Sequence, residues 1–490
     1  MVCTWRIVFV TTVLLQLAQS LEAQTWWNTR WHYRVPVSVS ANGYERRDKP
    51  AEVALNFSQL FTAVGPARTL DTNSLRIIEV TATGTVLDTM VQFQFDRDSA
   101  YNASTNARGT LTFMLGGTTA SNATRSFHLY FDAIGGLFTR PPFPTHVSVS
   151  DTTNYQGQNA FAIRLQRATY IYHKLGGGFA SAIDSNQRDW ISYRPGGGSA
   201  GEYRGIPNLG VCAHPGYTNG TSALVSRGHL KATIQSRTND NQWSWKWDFF
   251  PSYARMTVHS AAATYWFLYE GTPGGQFEYS DFWVRSTGER RTLAQDEGGR
   301  FQWVYFGDRS LRRVLYLAHH EADTLPDGFR SMEDNMTVFG FGRQPTSSNT
   351  TRWMTAVPQR LTIGFAEDSS IASATINNAF RDLTVALGAP ATTDVDHKTQ
   401  YVPTQFSLEQ NYPNPFNPTT EIRYQISEAC HVSLKIFDVS GKEVRMLVSE
   451  KRNAGFYETT FDATGLSSGV YYYQLAAGGF VSTKKMIVLR

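Results

Sequence analysis

Short runs in which bulky and polar residues alternate recur along most of the chain, and Gly, Pro or Asn closes most of them within ten residues. The run from Trp26 to Val39 is the first, and Leu75–Val80, Leu111–Leu115 and Ser126–Phe131 repeat the pattern. Between Val147 and Leu387 the same reading gives strands at Ala160–Leu165, Thr169–His173, Leu230–Ser236, Trp243–Phe250, Arg255–His259, Tyr265–Tyr269, Phe301–Phe306, Val314–His319 and Met336–Phe341. A period of two presents one apolar face per strand, which must be covered by another sheet. A parallel sheet would need a helix between successive strands, and those helices are missing from the pattern. The expected class is therefore all-β, built of antiparallel sandwiches. Only Ser370–Leu387 reads as a helix, with Ile371, Ala374, Ile376, Ala379, Phe380 and Leu383 as its apolar stripe.

At 490 residues the chain exceeds one ordinary domain, and its 13% aromatic content excludes disorder. Lys and Arg number 45 against 41 Asp and Glu, and no basic block suits a run of phosphates, so nucleic acid is not an expected partner. Past the first two dozen residues no apolar run reaches the roughly 18 residues of a spanning helix. Within them, Arg6, the apolar run Ile7–Leu17 and the small residues Ala18, Ser20 and Ala23 have the layout of a secretory signal, expected to occupy residues 1–23. Its removal would take Cys3 and leave only Cys212 and Cys430, in different domains, so no disulfide framework is expected. Asn-x-Ser/Thr triplets at Asn56, Asn102, Asn122, Asn219, Asn335 and Asn349 point to exposed polar loops.

Turn clusters and Pro divide the mature chain. Residues 24–137 read as an N-terminal sandwich; its W-x-Y-R-x-P-V opening and Phe127-His128-Leu129-Tyr130-Phe131-Asp132 ending resemble a jelly-roll-like module of secreted bacterial proteins. Arg140-Pro141-Pro142-Phe143-Pro144 forms a stiff joint. Residues 147–388 read as a large central sandwich, 389–405 as a linker and 406–490 as a small immunoglobulin-like sandwich.

The last segment carries the densest motifs: Phe406-Ser407-Leu408-Glu409-Gln410-Asn411-Tyr412-Pro413-Asn414-Pro415-Phe416-Asn417-Pro418-Thr419-Thr420, then Gly441-Lys442-Glu443-Val444, Gly465-Leu466-Ser467-Ser468-Gly469-Val470-Tyr471-Tyr472-Tyr473 and Lys484-Lys485-Met486. It closely resembles the C-terminal sorting domain of type IX secretion cargo. The resemblance implies passage across the outer membrane through the type IX secretion machinery, with the mature chain secreted or held on the outer cell surface. By the residues alone, Tyr471, Tyr473 and Leu475 face one side of a strand and Val470, Tyr472 and Gln474 the other, which suffices for a small core.

Residues able to do chemistry concentrate in the central region. Gly176-Gly177-Gly178 and Gly196-Gly197-Gly198 precede Tyr203, Arg204, Asn208, His214 and Tyr217. Neither triplet opens into a phosphate-binding fingerprint, and no cofactor is expected. Trp243, Trp245 and Trp247, or the complementary set, are read either as inter-sheet core or as a platform on which sugar rings stack, with Tyr203 and Glu270 beside it. The phrasing of Phe249–Val258 and Tyr265–Gly271 resembles the galactose-mutarotase-type supersandwich of polysaccharide lyases and related glycan enzymes. Such a lyase needs a group to neutralise a uronate and a base for the proton alpha to it; Arg204 and Asn208 suit the first role, His214 or Tyr217 the second. His319 and Glu321 share a strand face and are expected to reach the same groove. A hydrolase would instead pair two carboxylates, Glu270 and Glu321. His319-His320-Glu321 lacks helical zinc-hydrolase spacing, so no metal is assigned. No strand-to-helix nucleophile elbow or Cys-centred constellation is expected either. The competing class is a non-catalytic glycan-binding or surface-structural protein.

The export reading makes a direct prediction. Deleting Phe406–Arg490 should strand the protein in the periplasm of a host with type IX secretion, and equal extracellular yield from both forms would overturn it.

Overall fold

The computed structural model describes residues 26–136, 138–191, 205–209, 214–293, 297–332, 336–343, 351–393, 403 and 405–489. Every strand pairing among them is antiparallel, apart from an isolated bridge between Phe416 and Val488. The all-β expectation holds.

In the N-terminal sandwich, one sheet is built on Tyr33–Ser40, Thr124–Ala133 and Leu70–Val80, and the facing one on Arg46–Asn56, Arg108–Thr119 and Phe93–Arg97. Val35, Val37, Leu111, Phe113, Phe127 and Leu129 fill the space between them. Two short strands expected elsewhere join the first sheet: Thr384–Leu387 pairs with Val37–Ser40, and Ala391–Thr392 pairs with Tyr33–Arg34. The chain thus returns to its first domain after completing the central one, and part of the span read as linker is ladder.

The helix covers only Ala372–Phe380, after a 3₁₀ turn at Ser369–Ile371. It buries Ala372, Ile376, Ala379 and Phe380 against the sheet. Arg381 turns extended and ends it. The predicted continuation to Leu387 fails because Thr384 and Val385 are β-branched and a ladder partner is at hand.

The central region forms two thick layers. One is a nine-stranded sheet whose middle strands are Ser244–Phe249, Tyr253–Ser260, Gln359–Ala366, Val314–His319 and Trp303–Gly307. The other begins as two four-stranded sheets, one ending on Gly178–Asp184 and the other on Phe267–Gly271. Gly205–Leu209 joins them: the Phe179 amide donates to the Ile206 carbonyl at 2.6 Å, and the Leu268 amide to that of Asn208 at 3.1 Å. The interlayer core is aromatic, with Trp245, Trp247, Phe249, Tyr170, Tyr172, Phe179, Phe267, Tyr269 and Phe339 all buried.

Against the back of the nine-stranded sheet lies the smaller sheet of the N-terminal sandwich, and the seam is ionic. Lys231 Nζ is 3.0 Å from Glu52 and 3.1 Å from Asp96, while Arg255 bonds Glu52 at 2.6 Å and Asp248 at 3.3 Å. Burial works to raise the Glu52 carboxyl, but Arg255 and Lys231 overcome it and hold it below its ordinary value. Arg46 donates to the carbonyls of Asn377, Arg381 and Asp382, and Lys49 to that of Ala379 at 2.6 Å, so two cations close the helix's C-terminal end.

In the C-terminal sandwich, Thr419–Ile426 and Gly455–Asp462 face a four-stranded sheet centred on Cys430–Phe437 and Gly469–Ala477. Tyr473 and Leu475 are buried and Tyr472 is exposed, the alternation expected of that strand. The Tyr473 hydroxyl ties down the Pro-rich entry by donating to the Glu409 carbonyl and accepting from the Asn411 amide, both at 2.7 Å.

Glu52→Gln should remove the negative charge that Lys231 and Arg255 share and leave one of them facing an amide donor, destabilising both sandwiches together by on the order of 3 kcal/mol in urea unfolding. A loss confined to the N-terminal sandwich, or none, would contradict the shared seam.

Candidate functional site

Directly opposed residues of an antiparallel ladder share a face, which makes the second layer readable row by row. Tyr269, Phe339 and Phe329 stand in one row and point into the interlayer core. The next row, Glu270, Val338 and Arg330, faces the other way. Beside it Trp266, Leu268, Met336 and Val338 form an apolar patch of their own. Asn208 is bridged to Leu268 and belongs to this outer face.

The neighbouring strands extend the same face. Tyr172 pairs with Phe161 and Phe179 in the core row, so His173, opposite Ala160 and Gly178, turns outward. His214 lies over Gly178, where an added Cβ would come within 2.3 Å of its Nδ1. Gly177, at φ +74°, leaves room for the Trp245 indole, whose Nε1 donates to the Gly177 carbonyl at 2.9 Å. This Gly triplet therefore packs one aromatic core residue and one imidazole on opposite sides of the layer.

The outer face carries a built polar site. Asn208 and His214 are fully buried, Glu270 is 2% exposed and Arg343 5%. His214 Nδ1 is 3.1 Å from the Pro207 carbonyl, which can only accept, so Nδ1 carries the hydrogen and Nε2 keeps its lone pair. Among the described residues, that Nε2 and both polar atoms of the Asn208 amide have no hydrogen-bond partner. A buried polar atom left without a partner costs about 1–3 kcal/mol, so these are the groups of the outer face with hydrogen-bonding capacity to spare. Burial lowers His214 to about 3, with His173 opposing its charge, and burial lowers His173 to about 4, so both imidazoles are neutral at physiological pH.

The other sequence candidates fall elsewhere. Tyr203 and Arg204 lie outside the described residues. Tyr217 is half exposed in the turn that follows His214. His319 and Glu321 are on the opposite layer: His319 is opposite Leu361, close to the Gln359 amide, and packs on Phe341 at 5.6 Å. Glu321 receives the Arg360 guanidinium at 2.9 Å and its backbone amide at 2.8 Å. The pair Glu270 and Glu321 is thus divided between layers. Trp245 and Trp247 are core and Trp243 packs edge-on against Tyr265, so the tryptophans take the inter-sheet role and not that of a platform. The string Gly197-Gly198-Ser199-Ala200-Gly201 does spell Gly-x-Ser-x-Gly, contrary to the expectation of no elbow, but it lies outside the described residues. Among the described residues no group of three His, Cys, Asp or Glu is placed to hold a metal.

Sequence reading missed His173, Arg330 and Arg343. The signal for His173 was its place at the end of an alternating strand, but a register shift between Ile171 and Tyr172 hides which way it faces.

Residues 410–489 match the family of the secretion system C-terminal sorting domain. That segment directs export by type IX secretion, and the chain is delivered to the cell surface or extracellular space. A search of curated proteins finds no match. Among solved structures, the protein designated HI1317 aligns at 11% identity over 45% of this chain and 99% of its own, with a TM-score of 0.30. YeaD of Salmonella typhimurium, described as a mutarotase, aligns at 12% identity over 46% and 97%, also at 0.30. A glycoside hydrolase family 81 protein of Clostridium thermocellum aligns at 8% identity over 65% and 35%, at 0.23. At these scores the likenesses bear on neither substrate nor mechanism.

Both imidazoles titrate below their ordinary value of 6.5 in the folded chain, so on acidification the unfolded chain takes up protons first. Their contribution should be intact above about pH 6.5 and drain away as the pH falls through 4 towards 3. His214→Gln should therefore flatten the acid side of a plot of Tm against pH. An unchanged acid slope would show that His214 is not buried as described.

Proposed function

We propose that this secreted protein acts on polysaccharide, holding it on the outer face of the second central layer. The observation that supports the reading is the trio of polar atoms on Asn208 and His214, buried beneath that face and without a hydrogen-bond partner among the described residues. A sugar hydroxyl both donates and accepts; the Asn208 amide offers the complement of each, and His214 Nε2 offers an acceptor. Trp266 and Leu268, buried at 2% and 1% exposure, pack beside the trio as its apolar wall.

The same geometry favours elimination from a uronate. The Nε2 lone pair of His214 is the group to take the proton alpha to the carboxylate, and the Asn208 amide can bond the enolate-like oxygen as charge develops; collapse of that charge forms the carbon–carbon double bond and breaks the beta C–O bond, and the proton held on Nε2 passes to the departing sugar oxygen. A bound carboxylate would raise the depressed imidazole towards a useful range. Arg204, outside the described residues, is the neutralising cation that this reading assigns from the sequence.

The test is a screen of the purified full chain on acidic and neutral polysaccharides, following affinity electrophoresis, unsaturated-product absorbance and reducing ends together. Asn208→Ala should weaken binding about tenfold or more, the scale of one buried hydrogen-bonding group. Unsaturated product that disappears in His214→Gln while binding persists supports elimination. Binding without product leaves a glycan-binding protein, and neither signal overturns the polysaccharide reading.

A further inference from the structure

The sorting domain rests on the N-terminal sandwich through charges that match pairwise. From the sandwich come Asp71 and Arg97, and from the joint that follows it Arg140; from the sorting domain come Glu421, Arg423 and Glu458. Arg423 donates to Asp71 at 2.8 Å and lies 2.9 Å from Glu458, while Arg97 pairs with Glu421 and reaches Glu458 at 3.6 Å. Thr72 accepts from Arg97, Arg140 and Arg423, so one hydroxyl joins both bodies. The Arg140 guanidinium stands 4.4 Å over the ring of Tyr412, within the Pro-rich entry motif. Phe456 fits onto Gly135, where an added Cβ would come within 3.2 Å of the ring.

These groups are withdrawn from water: the side chains of Asp71, Glu421, Glu458 and Arg423 are 7%, 12%, 13% and 15% exposed. Exposed ion pairs on facing surfaces would contribute little, whereas pairs desolvated on both sides select their partner and penalise mispairing. We propose that the N-terminal sandwich is the intramolecular partner of the sorting domain, covering its Glu421 and Glu458 surface, and that the export machinery must displace it to reach that surface. This gives the N-terminal sandwich a role separate from glycan recognition, and the proposal stands whether or not the central site binds sugar.

The test uses the full chain. Arg97→Glu and Arg423→Glu should each undock the domain, raising the radius of gyration in small-angle scattering. Amide hydrogen exchange at Thr419–Ile426 and Gly455–Asp462 should quicken by about tenfold. The Arg97→Glu/Glu421→Arg exchange should restore compactness, which separates docking from misfolding, and near-wild-type melting of the single variants serves as a second control. In a type IX host the undocked variants should be exported faster than wild type in a pulse-chase. Scattering and exchange unchanged by reversal, no restoration in the exchanged pair, or equal export rates would overturn the proposal.

Discussion

Glu52 accepts from Lys231 and Arg255, and those two cations also reach Asp96 and Asp248, so four strands of two sandwiches meet in one desolvated ionic knot. No member can leave without stranding another charge away from water, and the two sheets are held back to back in one register. The constraint sets the rest of the architecture. With its rear face occupied by the N-terminal sandwich, the nine-stranded sheet has only its front on which to build an aromatic core, and the second layer must cover that front. The second layer then has one face left, and that face carries Asn208, His214, His173, Glu270 and Arg330.

Small residues decide what that face can hold. Gly177 admits the Trp245 indole from the core side and Gly178 admits the His214 imidazole from the outer side, so one short turn sets the spacing of core and site together. The Pro207 carbonyl then fixes the imidazole tautomer and directs its free lone pair. Where the interior is this closely packed with Trp, Tyr and Phe, burial is the largest cause that holds the imidazoles of the outer face below their ordinary value.

Several readings of the site residues turned on long-range pairing. Asn208 and His214 were recognisable as polar residues set among Gly, and the structure does bring them to one face. His319 and Glu321 were placed with them because they share a strand face, which is correct within that strand. The strand belongs to the other layer, and no local pattern distinguishes one layer from the other. The tryptophans failed as a platform for the same reason: alternation shows that Trp245 and Trp247 point the same way, but not whether that way is inward.

What the sequence by itself determined is local or dense in motif: the all-β class from a period of two, the position of most strands, the single helix of the central region, and the sorting domain from its Pro-spaced entry and Tyr-rich strand. What only the tertiary structure decided is relational. Thr384–Leu387 became a strand because Val37–Ser40 offered a ladder edge, although its own pattern also allowed helix. Gly205–Leu209 became the bridge of the second layer because Phe179 and Leu268 flank it. Hydrophobic alternation fixes which residues share a face, since that depends on backbone geometry within one strand. The identity of the facing partner depends on contacts between residues far apart in the chain, and these exist only once the layers have packed.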